Sequence, residues 1–192
     1  MQYGGDSNAN RKEALALSTR AIELDPFDSG GFSVLGFTVA YEGDLEIALK
    51  HFETATQLNP NDPSTLVRYS DIQYLAGNPQ QALKTIIEAI RLNPRAPGVY
   101  YWILGQAQIG CGQYAEAVVT LSRTETYRTV SRKILAVAFQ LCGRETEAKF
   151  EADMCMAIWP EWSCEEWVST RPFRKQEDRD FWLNGFKAVG FK

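Results

Sequence analysis

The sequence predicts an all-α protein, a superhelical solenoid of helix hairpins closed by a C-terminal helical cap. Three observations predict this fold. Apolar residues recur at helical spacing along most of the chain, prolines at positions 26, 60 and 94 end segments 34 residues apart, and aromatic residues crowd into residues 161–192. A fixed repeat spacing indicates a stack of similar units, and the aromatic end indicates a segment that covers the last of them.

The hairpin over residues 32–60 shows how one unit is built. Its two predicted helices are separated by a turn at Gly43 and Asp44. Gly36 on the first helix and Ala48 on the second are small, which lets the two helix backbones approach closely. We therefore expect these two residues to meet across the hairpin. The larger residues that complete the pattern are Phe32, Leu35 and Phe52, and Pro60 ends the unit.

The same pattern recurs in three later hairpins, which end near residues 94, 121 and 160. A further segment, from Arg11 to Pro26, has the spacing of a second helix, but its first helix is missing. Either this first repeat is degenerate or the chain was cut from a longer protein on its N-terminal side, and the second alternative is favoured. The expected organisation is a solenoid over residues 1–160, made of a half repeat and four hairpins, and a cap over residues 161–192.

This pattern of large and small residues resembles the tetratricopeptide repeat, a helical hairpin of 34 residues. The resemblance implies a right-handed superhelix in which the first helices of the hairpins line a concave groove and the second helices form the outer wall. It also implies a binding scaffold rather than an enzyme.

The segment over residues 161–192 contains three of the five tryptophans and four phenylalanines. It predicts a short helix near residues 161–169, a break at Pro172 and a last helix near residues 176–189. A solenoid end exposes a helix face that must be covered. We therefore expect these aromatic side chains to be buried against the last hairpin, where they would cover Leu135 and Phe139.

The same segment carries the motifs RPF, EDRD and GFKAVGF. This combination is similar to the C-terminal end of bacterial class III adenylate and guanylate cyclases, and of some winged-helix regulators, that carry tetratricopeptide repeats. Phe186 and Phe191 stand where leucines are usual, and Val189 is an addition. The similarity implies that the chain is the C-terminal regulatory part of a bacterial signalling protein.

The charge, the apolar runs and the cysteines of the chain argue against several classes of function. The net charge is −4 and no basic block is present, which argues against nucleic-acid binding by this chain alone. No apolar run approaches the roughly 20 residues of a membrane span, and the first residues lack a signal-peptide core. The four cysteines show no metal-ligand spacing, so we expect reduced thiols in a cytoplasmic protein, with no cofactor.

Catalytic constellations are not evident in the sequence. His51 is the only histidine, so a histidine relay or a zinc site would have to be built around it alone. The glycines at 105, 110 and 112 follow no predicted strand, and do not form a phosphate-binding loop. Glu165 and Glu166 are adjacent and point apart on a helix. We therefore predict a protein that is not an enzyme.

The predicted groove offers aromatic side chains with scattered polar groups, which suits an extended or helical apolar peptide. A clamp for a C-terminal carboxylate is not expected, because Phe37, Val67 and Trp102 occupy the positions it needs. Trp102 is placed at the centre, and Asp71 and Lys133 nearer the rim. The candidate partner-binding residues are Phe37, Tyr41, Val67, Asp71, Tyr74, Trp102, Gln106, Ile109, Lys133 and Val137, and the same helix faces carry Ser33 and Gln140.

An alternative function is self-association. The half repeat over residues 11–24 lacks its partner helix and could pair with a second copy of the chain, which would give a homodimer. The sequence leaves the identity of any protein or peptide partner open.

Overall fold

A computed structural model describes residues 7–126 and 129–192. Within these ranges the chain forms eleven α-helices and one 3-10 turn, so the prediction of an all-α solenoid is confirmed. Helix α1 begins at Ser7, a turn before the predicted start at Arg11. The helices are α1 Ser7–Leu24, α2 Ser29–Tyr41, α3 Leu45–Leu58, α4 Pro63–Leu75, α5 Pro79–Leu92, α6 Gly98–Gly110, α7 Tyr114–Leu121, α8 Thr129–Leu141, α9 Glu145–Ile158, α10 Cys164–Ser169 and α11 Gln176–Ala188.

Small residues bring the two helices of each hairpin together as the sequence predicts. A Cβ added at Gly36 would lie 3.0 Å from the carbonyl oxygen of Ala48, so the backbones of α2 and α3 are in close contact there. In the next hairpin the hydroxyl of Ser70 donates a hydrogen bond to the carbonyl oxygen of Ala82 at 2.8 Å. A small side chain is therefore retained at this position, and its polar atom is satisfied inside the core.

The turn between α2 and α3 depends on two residues. Gly43 has a φ of 102°, a left-handed conformation that glycine adopts without a steric penalty. The carboxylate of Asp44 then accepts a hydrogen bond from the backbone N–H of Ile47 at 3.0 Å and caps α3. The chain therefore reverses within a few residues and packs the two helices side by side.

Successive hairpins stack with their first helices on the inside of the superhelix. Helices α2, α4, α6 and α8 contact one another in that order, while α3, α5, α7 and α9 each pack on the first helix of their own hairpin. Helix α1 packs on α2, as a second helix of a preceding repeat would. The concave surface is therefore built from α2, α4, α6 and α8.

The C-terminal segment extends further than the sequence predicts. Its aromatic residues are buried, and α11 contacts α8 of the last hairpin, as expected. The segment also runs back along the concave surface, where the indole N–H of Trp182 donates to the hydroxyl of Tyr74 on α4 at 2.7 Å. Covering apolar side chains of the inner helices removes them from water, which favours this position.

Candidate functional site

The C-terminal segment fills part of the groove and lies against the inner helices α4 and α8. The backbone N–H of Arg174 donates to the carbonyl oxygen of Leu75 at 2.9 Å, and its guanidinium pairs with Glu46 at 2.6 Å. A Cβ added at Gly185 of α11 would lie 3.0 Å from the side chain of Val137 on α8. The segment therefore spans the groove from the last hairpin to the turn between α2 and α3.

Aromatic rings hold this segment in place. Trp167 lies 5.0 Å from Phe186 and 5.6 Å from Trp182, in both cases edge to face, and Trp162 packs edge to face on Phe191 at 4.7 Å. Such geometry is the favoured one for aromatic pairs. Six aromatic side chains of the segment are buried: Trp162, Trp167, Phe173, Trp182, Phe186 and Phe191. They form a core of their own on the concave surface.

Seven of the ten candidate partner-binding residues are buried, each no more than 8% exposed: Val67, Asp71, Tyr74, Gln106, Ile109, Lys133 and Val137. Four of these lie against the C-terminal segment, namely Tyr74, Ile109, Lys133 and Val137. Asp71 and Lys133 were expected near the rim, and the structure corrects this, because both are buried. Burial raises the pKa of the Tyr74 hydroxyl, which accepts its hydrogen bond from Trp182.

Lys133 is enclosed by indole rings rather than by carboxylates. Its ammonium nitrogen lies 5.0 Å from the ring centroid of Trp162 and 5.9 Å from that of Trp167. Burial lowers the pKa of Lys133 to about 8, and the nearby positive charge of Arg171 acts in the same direction. The contacts with the rings compensate part of the lost hydration of this cation.

An open cleft lies between α2, α4 and α6, and Asp71 forms part of its wall. Phe37 and Tyr41 pack with ring centroids 5.0 Å apart, and Val67 and Trp102 complete the wall. The cleft has a volume of about 370 Å³. Burial and the nearby carboxyl of Asp71 raise the pKa of Tyr41 to about 12, so its hydroxyl stays protonated.

A second cleft of about 450 Å³ adjoins the first and shares Val99 and Trp102 with it. Its wall includes Gly98 at the start of α6 and Ser131 in the first turn of α8. The two clefts together form a channel along the inner helices, with Trp102 between them. We call this the open channel. It runs beside the C-terminal segment, whose Arg171 lines part of its wall.

Arg171 is a residue of this site that the sequence did not lead us to predict. It comes from the RPF motif of the C-terminal segment, and its guanidinium carbon lies 4.2 Å from the ring centroid of Trp167 and 5.0 Å from that of Trp102. Its Nη1 is 4.0 Å from Oδ1 of Asp71. Burial raises the pKa of Asp71, and the charge of Arg171 opposes that change. The motif itself was visible in the sequence, but its position beside Trp102 was not.

The chemistry of the described residues suits recognition of a ligand. The open channel has apolar walls with a few charged groups, the usual composition of a binding cleft.

In the described ranges no group of three histidine, cysteine or carboxylate side chains could hold a metal ion. None of the described helices has the length and apolar character to cross a bilayer. His51 is half-buried on α3, 6.0 Å from the ring of Phe32.

Residues 40–100 match the family model described as tetratricopeptide repeat. The fold is similar to that of TTC0263, a tetratricopeptide repeat protein of Thermus thermophilus, with a TM-score of 0.69 and 20% identity over 95% of this chain and 92% of that one. PilW, a type IV pilus biogenesis factor, gives a TM-score of 0.73 and 16% identity over 95% of this chain and 82% of its own.

YrrB, described as a tetratricopeptide repeat protein with an unusual peptide-binding site, gives a TM-score of 0.62 and 18% identity over 90% of each chain. No curated protein sequence matches this chain. At these identities the structural likeness establishes the fold. The chain therefore carries tetratricopeptide repeat sequence over residues 40–100 and folds as a tetratricopeptide repeat solenoid.

Proposed function

We propose that the chain is a non-catalytic scaffold that binds an extended peptide segment of a partner protein in the open channel. The observation that carries this proposal is the position of Trp102, half-buried between two adjoining clefts whose walls are largely apolar. Tryptophan in such a position commonly dominates the energy of an interface. Of the predicted set, the proposal retains Phe37, Tyr41, Val67 and Trp102.

We do not expect the partner to bind in the part of the groove that the C-terminal segment fills. A comparison of free energies gives the reason. Truncating one buried large aromatic costs about 3–5 kcal/mol, and the C-terminal segment contributes six of them. A peptide that binds with micromolar affinity supplies only about 8 kcal/mol. A peptide that displaced the segment would have to replace several of these contacts, so binding beside the segment is favoured. The predicted residues that lie against the segment, Tyr74, Ile109, Lys133 and Val137, then have a structural role.

Two further lines support parts of the proposal. YrrB, which shares the fold, is described as having a peptide-binding site. The motifs RPF, EDRD and GFKAVGF resemble those of C-terminal regions in bacterial signalling proteins such as adenylate cyclases. We therefore propose a cytoplasmic regulatory role in which the channel recruits a partner to a signalling protein.

The test compares Trp102 with an aromatic residue on the outer wall. Peptides selected from a random linear library by the full chain should lose at least about thirtyfold in affinity for Trp102→Ala, equivalent to about 2 kcal/mol. Phe150→Ala is the matched control, because Phe150 is 56% exposed on α9 of the convex side. Binding that survives Trp102→Ala and is lost in Phe150→Ala would place the site on the outer wall instead. Circular dichroism checks that both variants are folded.

Self-association is a second candidate, favoured by one specific observation. Leu17 and Leu24 on α1 and Phe27 after it are 63%, 70% and 78% exposed. Clustered exposed apolar residues of this size mark interaction surfaces. If two copies pair through α1, light scattering across a dilution series shows a dimer that Leu24→Glu converts to a monomer. A monomer at every concentration of the unmodified chain contradicts this function.

A further inference from the structure

The walls of the first cleft carry more positive than negative charge. Resting on the proposed function, we propose that the partner segment carries an aspartate or glutamate two positions from a large apolar residue. Arg68 and Arg171 are the counter-ions of the acidic side chain, and the apolar side chain enters the cleft lined by Phe37, Tyr41 and Val67.

Arg68 is exposed on α4 at the wall of this cleft. Its guanidinium donates one hydrogen bond, to the hydroxyl of Ser33 on α2, at 3.3 Å. Among the described residues no carboxylate lies within 4.0 Å of it, whereas Arg91 and Arg144 on the outer helices each pair with a glutamate one turn away. Arg68 therefore offers donors toward the cleft that a ligand carboxylate can accept.

Arg171 adds a second positive charge from the other side of the cleft. Its guanidinium is fixed between the indole rings of Trp167 and Trp102, so it loses little conformational freedom when it meets a ligand. The nearest carboxylate oxygen, on Asp71, is 4.0 Å away, beyond hydrogen-bonding distance, and Nη1 of Arg171 has no acceptor among the described residues. Asp71 thus offsets one of the two cations, and a positive excess remains.

The apolar anchor and the acidic group must be close together in the partner. Arg68, Arg171 and the aromatic wall all line one cleft of about 370 Å³, which accommodates a single large side chain. In an extended segment successive side chains point to opposite faces, and residues two positions apart share a face. A carboxylate two positions from the anchor therefore reaches the arginines while the anchor is in place. The whole chain has a net charge of −4, so this preference is local.

The experiment selects phage-displayed random linear peptides on the full chain and then measures affinities by fluorescence anisotropy. We expect enrichment of an acidic residue two positions from an aromatic or branched aliphatic one. Changing that acid to its amide, or Arg68→Gln in the protein, should each weaken binding about tenfold, and both changes together should cost little more than one. Arg91→Gln on α5 is the matched control and should leave affinity unchanged, and affinity should fall as salt is added.

The outcomes separate this inference from the proposed function. Selected peptides whose binding depends on Trp102, but which show no acidic enrichment and no coupling to Arg68, would overturn the inference and leave the proposed function standing. Absence of any peptide that depends on Trp102 would overturn the proposed function itself. Arg171→Lys keeps the charge without the planar stacking surface, and we expect it to weaken binding while Arg91→Lys does not.

Discussion

Trp182 provides the strongest test of how the C-terminal segment is held. The side chain is fully buried, and its ring lies 5.5 Å from Phe186 and 5.6 Å from both Trp167 and Phe181. Its N–H is the donor to the Tyr74 hydroxyl on α4. Trp182→Ala removes the ring from the centre of this cluster and takes away the bond that joins the segment to the middle of the solenoid.

The expected loss can be worked from these contacts. Truncating a buried tryptophan costs about 3–5 kcal/mol, and leaving the buried Tyr74 hydroxyl without its partner adds about 1 kcal/mol. We therefore expect the free energy of unfolding to fall by about 4–6 kcal/mol. At roughly 2–4 °C per kcal/mol for a chain of this size, the Tm falls by roughly 10–20 °C.

Thermal and urea unfolding, both monitored by circular dichroism, measure this loss of stability. Two further variants serve as comparisons. Trp182→Phe keeps one aromatic ring and loses the second ring with its N–H, so it should cost less than Trp182→Ala. Trp159→Ala changes a tryptophan that is 46% exposed and should cost less than about 1 kcal/mol. If Trp182→Ala is no more destabilising than Trp159→Ala, the segment is not anchored through this ring.

Three further predictions follow from the packing. Gly36→Leu should lower the free energy of unfolding by about 1–3 kcal/mol, because the side chain has no room against Ala48, and an unchanged Tm would show that the helix faces are assigned wrongly. Removal of the residues after Ser169 should uncover the filled part of the groove and cause aggregation in light scattering, whereas a monomeric and equally stable product would mean that the segment contributes nothing there. The pKa of Lys133 is lowered to about 8 in the folded chain, from 10.5, so between about pH 8 and 10.5 the unfolded chain binds more protons and stability should rise with pH. This rise should be smaller in Lys133→Met, and identical pH profiles for the two proteins would show that Lys133 is not desolvated.

The sequence was sufficient to predict the hairpins because the information for them is local. Gly36 and Ala48 are 12 positions apart, and the turn between their helices lies inside the same segment. The helical spacing of apolar residues determines which face of each helix is buried, and the small residues determine where two helices come into close contact. Stacking the hairpins then adds contacts only between neighbouring units. For the same reason Trp102 could be assigned to the inner surface from its position beside Tyr101.

Whether the groove is open or filled could not be predicted from local sequence patterns. Tyr74, Lys133 and Val137 were predicted on the inner surface, and they lie there, but whether that surface is open depends on a segment far along the chain. Trp182 bonds to Tyr74 across 108 positions, and no period or motif relates the two. The sequence indicated that the aromatic end must be buried against the last hairpin, without indicating that it would also reach Tyr74 on α4.

The sequence by itself therefore determined the repeat, the turns and the inner faces of the helices, because each is set by neighbours within a few turns of helix. Only the tertiary structure decided that the C-terminal segment lies inside the groove, that Arg171 contacts Trp102, and that an open channel remains beside the segment. These outcomes depend on which distant apolar surfaces fit together best. That is a property of the assembled superhelix, and it has no local signature in the chain.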